Sequence, residues 1–177
     1  MIEVLVTMVI TAFGLLGMAG LQVRLQTSEM ESYQRSQALL LLGDMANRIA
    51  VNRSNPDSYL VAAASPLGAG TTCSTTTTTV VQRDLGEWCT ALQGAAETTG
   101  AGPSKVKLGV MLGGRGCVEK VGSDYLLTVA WQGLTPIAAP APSVACGKDS
   151  YNAAGGSRCI SDLCRRTVTT LVRIATL

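Results

Sequence analysis

The first long feature of the chain is a run without charge. From Val4 to Val23 no side chain is ionisable, and hydrophobic residues alternate only with Thr, Gly, Ala and Gln. As an α-helix this run rises about 30 Å, the thickness of a bilayer's hydrocarbon core. From Arg24 to Arg53 the pattern changes. Ala38, Leu41, Leu42, Met45 and Ile49 follow helical spacing, and Glu31/Arg35 and Asp44/Arg48 are i,i+4 pairs of opposite sign. Leu39 and Leu40 fall outside that stripe, so the helix is apolar on more than one side. Such a helix suits an element that packs on its own domain and also on neighbours. Asn55-Pro56-Asp57 ends it.

Beyond the helix the periodicity shortens. Residues 58–79 are rich in Ala, Gly, Thr and Ser and end in threonines 75–79. They read as a solvated loop, with glycosylation of the threonine run the alternative in a surface protein. Val81, Leu85, Trp88 and Leu92 recur at helical spacing behind Thr79, which predicts a short capped helix with Trp88 in the core. After a Gly-rich break at 94–104, strands are expected over 105–112, 117–121, 125–131 and 166–176. Gly113 to Gly116 reads as a turn and 136–157 as a loop. Strands following helices predict an α+β domain with an antiparallel sheet.

Composition narrows the function classes. The chain has 177 residues, of which 47% are hydrophobic and 15% charged, and its net charge of +2 implies no nucleic-acid surface. Arg165, Arg166 and Arg173 near the last strand read as a solvated face rather than a DNA contact. Histidine is absent, which removes Ser-His-Asp and Cys-His catalysis and imidazole metal sites. No P-loop, GxGxxG or recognisable carboxylate pair is present. The expectation is a protein that is not an enzyme and holds no cofactor or metal.

The cysteines at 73, 89, 117, 146, 159 and 164 all lie beyond the apolar run, and none are spaced Cys-x-x-Cys. An even set on the far side of a membrane-length segment reads as structural disulfides in an oxidising compartment, against reduced core cysteines as the alternative. Cys73–Cys89 is the expected local pair, closing a loop that would contribute about 3 kcal/mol by chain entropy. The remaining four allow three pairings. Cys146–Cys164 with Cys117–Cys159 is the one expected. With two Trp, four Tyr and one Phe in the chain, the core is modest and the bonds would help stabilise it.

The orientation of the apolar run poses a conflict. A secretory signal peptide would open with a basic region, whereas this chain opens Met1-Ile2-Glu3. Positive-inside bias would put Arg24, and with it every cysteine, in the cytoplasm. A short basic leader before Met1 removes the conflict. Glu3 is a second anomaly, because a carboxylate at the edge of a hydrocarbon-length helix is costly unless a cation meets it.

Met1-Ile-Glu-Val-Leu-Val-Thr-Met-Val-Ile, running through Gly14-Leu-Leu-Gly-Met-Ala-Gly-Leu-Gln22, resembles the N-terminus of type IV pilins, and most of all the PilV-like minor pilins. Asp44-Met-Ala-Asn-Arg-Ile49 with Asn52-Arg53, Asp84-Leu85 before Trp88, Gly113-Gly-Arg-Gly-Cys-Val-Glu119 and Ala130-Trp-Gln-Gly-Leu134 are similar to the same subfamily. The N-terminus departs from the pattern: such pilins have two more residues before the Ile-Glu pair, usually opening on a methylated Phe.

The resemblance implies a pilin fold. Residues 1–23 would form a membrane and filament-core helix, 24–53 its amphipathic continuation, and 54–177 a globular head. It implies that Glu3 neutralises the N-terminal ammonium of a neighbouring subunit. Desolvation offsets much of that attraction, so the pair mainly enforces axial register. Gly14, Gly17 and Gly20 would permit close helix approach or local bending, since the proline often found at this depth in major pilins is absent. The implied partners are other minor pilins, the major pilin and a tip adhesin, with no nucleic acid. The implied location is the inner membrane as a single-pass protein before assembly, then the pilus, where adhesion and twitching motility are the implied roles. Two other readings stand beside it: a minor pseudopilin of a type II secretion system, and a membrane-anchored periplasmic binding or enzymatic domain.

Overall fold

Helix α1 runs from Ile2 to Val51 in the computed structural model, which describes residues 2–94, 98–99, 106–107 and 111–174. The chain divides into two compact units, Met1–Tyr33 and Gln34–Leu177. In the first, the described residues are helical and nearly all exposed, including every large hydrophobic from Ile2 to Leu25. The threonine hydroxyls of this unit turn back onto the helix. Thr7 Oγ1 donates to the Val4 carbonyl at 2.9 Å, Thr11 to that of Thr7 at 2.7 Å and Thr27 to that of Val23 at 2.9 Å. Those bonds satisfy groups that lipid could not.

The second unit is built in layers. Its helical layer is the end of α1, which buries Gln34, Ala38, Leu42, Met45 and Ile49, together with α2 (Val80–Leu92). A 3-10 turn, Pro56–Tyr59, follows α1 and buries Tyr59. α2 starts where expected. Thr79 Oγ1 accepts from the Gln82 amide at 3.2 Å and Gln82 Oε1 accepts from the Thr79 amide at 3.3 Å, a reciprocal cap that satisfies two amides at the helix start.

The sheet is antiparallel, in the order β1 (Leu67–Gly68), β4 (Arg115–Val121), β5 (Asp124–Gln132), β6 (Arg165–Arg173). Apart from it, β2 (Thr98–Thr99) pairs with β3 (Val106–Lys107). Val118, Tyr125, Leu127, Val129, Trp131 and Val168 lie in one core cluster with the helices' buried residues. Trp88 joins the layers. It is fully buried, and its indole N–H donates to the Leu41 carbonyl at 2.9 Å. Its ring lies on Gly116, where a Cβ would overlap the ring atoms. Gly114 is as tightly placed: a Cβ there would come within 2.6 Å of the Leu92 carbonyl oxygen. Of the stretch expected as a turn, Gly113 ends one, while Arg115 and Gly116 already belong to β4 and Gly114 and Gly116 seat α2.

Several elements differ from the sequence reading. β1 lies in a stretch expected to be loop, because Leu67–Gly68 and the bridge from Val61 to Val118 pair with the open edge of β4 through the backbone alone. Of the strand expected over 105–112, Val106–Lys107 is β3, Leu112 lies in the turn before Gly113, and 105 and 108–110 lie outside the described residues. β6 begins one residue earlier than expected, and Thr176 also lies outside the described residues.

Two disulfides need correction. Cys73 is bonded to Cys89, but Cys117 is bonded to Cys146 and Cys159 to Cys164, in place of Cys146–Cys164 and Cys117–Cys159. The register explains why. Cys117 stands opposite Thr128, which stands opposite Thr169, whereas Cys164 precedes β6 beside Gly133. The five residues from Cys164 to Thr169 span about 16 Å along the sheet. The connection after β5 folds back over the sheet's other face and brings Cys146 to the row of Cys117, with its Sγ 3.8 Å from the Thr128 carbonyl oxygen. Cys159 stays beside Cys164.

Gly116→Ala is expected to destabilise the second unit by about 1–3 kcal/mol through overpacking on Trp88. Gly155→Ala, at a position with open space around it, is expected to leave the thermal midpoint unchanged. Thermal melts followed by near-UV circular dichroism check both.

Candidate functional site

Helix α1 carries the longest run of exposed large hydrophobics among the described residues, from Ile2 to Leu25. It is the one helix among the described residues long and apolar enough to cross a membrane, and none of its most apolar stretch is buried. Glu3 lies in its first turn and is exposed. Gly14, Gly17 and Gly20 are helical and have nothing within 4 Å of where a Cβ would stand, so the space beside them is open to another molecule.

The uncovered surface has a counterpart on the part of α1 that belongs to the second unit. Opposite buried Ala38, Leu42, Met45 and Ile49, residues Ser36, Leu39, Leu40, Gly43, Asn47, Ala50 and Val51 are exposed. Ser36 and Asn47 are the polar members of that stripe, and no charge interrupts it, although the solvent side of a helix on a soluble domain is normally its charged and polar one. Leu39 and Leu40, which lie off the expected core stripe, belong to it.

Several ionisable groups of the second unit hold its fold together. Arg48 bonds to Asp44 at 2.9 Å, Asp84 at 2.9 Å and Glu87 at 2.7 Å, tying α1 to α2. Asp84 is buried and also accepts from the Tyr59 hydroxyl at 2.6 Å. Burial works against the Arg48 charge, but its bonds to Glu87, Asp44 and Asp84 outweigh that effect and hold its pKa above the ordinary range. Only the Asp44–Arg48 step was legible in the sequence, because the partners on α2 are distant in the chain. Gln34, fully buried, also escaped the sequence reading.

The three C-terminal arginines are likewise engaged. Arg165 is buried beside Asp162, with Nε 3.1 Å from the carboxylate. Arg166 donates to the Thr135 carbonyl at 2.6 Å, and Arg173 lies 3.3 Å from Asp124. Two open, shallow hollows flank α2, one lined by Asn52, Ser58, Thr79 and Gln82 and the other by Leu60, Val61, Leu67 and Leu85. Neither gathers a cluster of ionisable groups. Among the described residues no group of three or more His, Cys, Asp or Glu side chains is placed to hold a metal ion.

Residues 20–97 match the model of the Tt1218-like family, described as Type IV pilin Tt1218. The match supports a type IV pilin. It runs from within the apolar run through α2, the region that carries the uncharged stripe, the Arg48 cluster and Trp88. No curated protein and no solved structure matches the chain. The arrangement of a long apolar N-terminal helix, an antiparallel four-stranded sheet and three disulfides is type IV pilin-like. Pilins are structural rather than enzymatic, and the apolar helix fits membrane anchoring and pilus assembly.

The charge network yields two predictions. Asp84→Asn weakens the bonds to Arg48 and Tyr59 together, and is expected to lower stability by about 2 kcal/mol. Lys120→Met removes an exposed pair with Asp57 and is expected to leave the denaturation midpoint nearly unchanged. Urea denaturation of the full chain in detergent micelles compares them.

Burial and the Asp84 bond raise the Tyr59 pKa, the Asp57 bond and burial raise that of Tyr125, and burial raises that of Tyr151 against the pull of Arg115. A raised folded-state pKa stabilises fully below the unfolded value and is lost as pH rises through the folded one. Stability is thus expected to fall above pH about 10, with a shallower fall in Tyr59→Phe. Asp57 has the opposite sign: its bonds to Lys120 and Tyr125 lower its pKa, so its contribution is lost on acidification. Thermal midpoints across the alkaline range check the tyrosine prediction.

Proposed function

We propose that the protein is a minor pilin of a type IV pilus, a structural subunit incorporated into the filament or priming its assembly. The observation that carries this reading is the exposed, uncharged flank of α1, which needs an apolar environment that its own chain does not provide. A monomer in water does not tolerate contiguous apolar surface of that size. As a single-pass inner-membrane protein before assembly, the chain would have lipid cover the flank; within a filament, the helices of the major pilin and other minor pilins would do so.

Glu3 then has a role. Paired with the N-terminal ammonium of a neighbouring subunit, it sets the axial register of helices whose apolar surfaces would otherwise slide. Gly14, Gly17 and Gly20 let helix backbones approach closely. The uncharged stripe from Ser36 to Val51 extends the same requirement to the head, where the small residues Gly43 and Ala50 leave room for a neighbour. Resemblance of Gly113–Glu119 to the PilV-like subfamily supports the minor-pilin assignment; in this fold the glycines of that stretch seat α2 on the sheet.

Glu3→Ala is expected to leave the protein in the inner membrane but to reduce its amount in sheared, purified pili. Normal amounts there would remove the register role. Deleting residues 1–24 is expected to yield a soluble, disulfide-bonded head that melts cooperatively and fails to restore piliation in a strain lacking the gene. Restored piliation would make the helix a membrane anchor only.

A further inference from the structure

The connection after β5 is held on the sheet's outer face by contacts that converge on Asp162. The Asp162 carboxylate accepts from the Asp149 amide at 2.8 Å and pairs with buried Arg165, whose guanidinium donates to the Val144 carbonyl at 2.7 Å and to that of Cys146 at 3.1 Å. The Asp162 amide donates to Asn152 Oδ1 at 2.8 Å. Within this loop Gly147 lies against Ala130 of β5 and against Tyr151, whose ring stacks 5.0 Å from the Arg115 guanidinium.

Asp162 reaches those partners from an unfavourable backbone. Ser161 and Asp162 have φ of 51° and 62°, and Asp149 has 59°; these are the non-glycine residues with positive φ among the described residues. L side chains rarely adopt that region unless their surroundings enforce it. Ser161 and Asp162 both lie inside the short Cys159–Cys164 ring. Its two sulfurs are unequal: Cys164 is buried, while Cys159 is half-buried. Cys117 and Cys146 are both buried. Under the loop, the Thr128 hydroxyl is buried with no hydrogen-bond partner, so undocking would return it to water.

We propose that Cys159–Cys164 is a site of thiol–disulfide exchange whose opening releases residues 147–163 from the outer face of the sheet, with Cys117–Cys146 left as the tether. The co-reactant is a dithiol. One of its thiolates attacks Cys159 Sγ, the sulfur–sulfur bond breaks, and Cys164 leaves as a thiolate that takes up a proton. The second dithiol sulfur then attacks the mixed disulfide at the reagent's own sulfur and releases Cys159 as a thiol. Two electrons and two protons pass to the protein, and the dithiol becomes a disulfide. With the ring open, Ser161 and Asp162 relax from positive φ, and Asp162 lets go of Asp149 and Arg165. The loop swings out about Cys146 and uncovers Arg115, Thr128 and Ala130.

The test uses the full chain in detergent micelles, treated with graded dithiothreitol, alkylated, and mapped by mass spectrometry alongside amide hydrogen exchange. Cys159 and Cys164 are expected to be labelled while Cys117 and Cys146 remain bonded. Exchange over 147–163 is expected to quicken by about tenfold or more, with α2 and β4 to β6 within about twofold of the untreated chain. Cys159→Ser/Cys164→Ser should reproduce that exchange pattern without reductant. If the double variant does not accumulate, the partly reduced wild-type chain decides. Opening of Cys117–Cys146 before or together with Cys159–Cys164 would overturn the proposal. So would a loop that stays protected after Cys159–Cys164 has opened, or an equal rise in exchange throughout the sheet.

Discussion

An uncharged helical surface as long as a bilayer is thick has to be covered, and the proposed function rests on that requirement. Between Val4 and Val23 there is no ionisable side chain, and the large hydrophobics there are exposed. Even the polar side chains comply, since Thr7 and Thr11 bond to their own helix and ask nothing of the surroundings. Lipid and the helices of other subunits are alike in what they offer such a surface. A helix with these properties can therefore pass from one to the other at little net cost, provided that something sets its register. In the proposed function Glu3 is that element, and the same demand for a partner reaches the head along the stripe from Leu39 to Val51.

The second unit has a different problem, a small core that must hold its own shape. Its solution centres on Trp88, which α2 presses against Gly116 while the indole N–H bonds to the backbone of α1 at Leu41. Arg48 repeats the connection electrostatically, reaching from α1 to Asp84 and Glu87 on α2. On the far side of the sheet, packing gives way to covalent bonds and a buried ion pair. Cys117–Cys146 and Asp162–Arg165 hold a loop that has few large apolar side chains of its own to bury. The two faces are stabilised by different chemistry, and they are expected to respond differently to reductant.

Features carried by local pattern were legible in the sequence: the membrane-length run, the stripe Ala38–Leu42–Met45–Ile49, the Thr79 cap and the strand over 125–131. Features that depend on distant parts of the chain meeting were not. β1 is two residues that pair by backbone alone, so no alternation marks it. Arg48 shows its Asp44 partner by i,i+4 spacing, whereas Asp84 meets it only once α2 has docked. The pairing of the last four cysteines turned on a loop doubling back across the sheet and on two residues holding positive φ inside a short ring, neither of which leaves a periodic trace. In the candidate site, Glu3 and the three glycines stood out as breaks in an apolar run. The exposed stripe on the second unit was visible only as Leu39 and Leu40 falling off the expected face.

The central claim is that the α1 flank exchanges lipid for the helices of other subunits. A photo-crosslinking amino acid in place of Phe13, which is exposed in the middle of the flank, tests it directly in the organism's own pili. Irradiation of membranes is expected to give lipid adducts, and irradiation of sheared pili is expected to give adducts that join the N-terminal segments of two pilin subunits. Adducts to lipid alone, with the chain missing from sheared pili that otherwise assemble normally, would contradict the account.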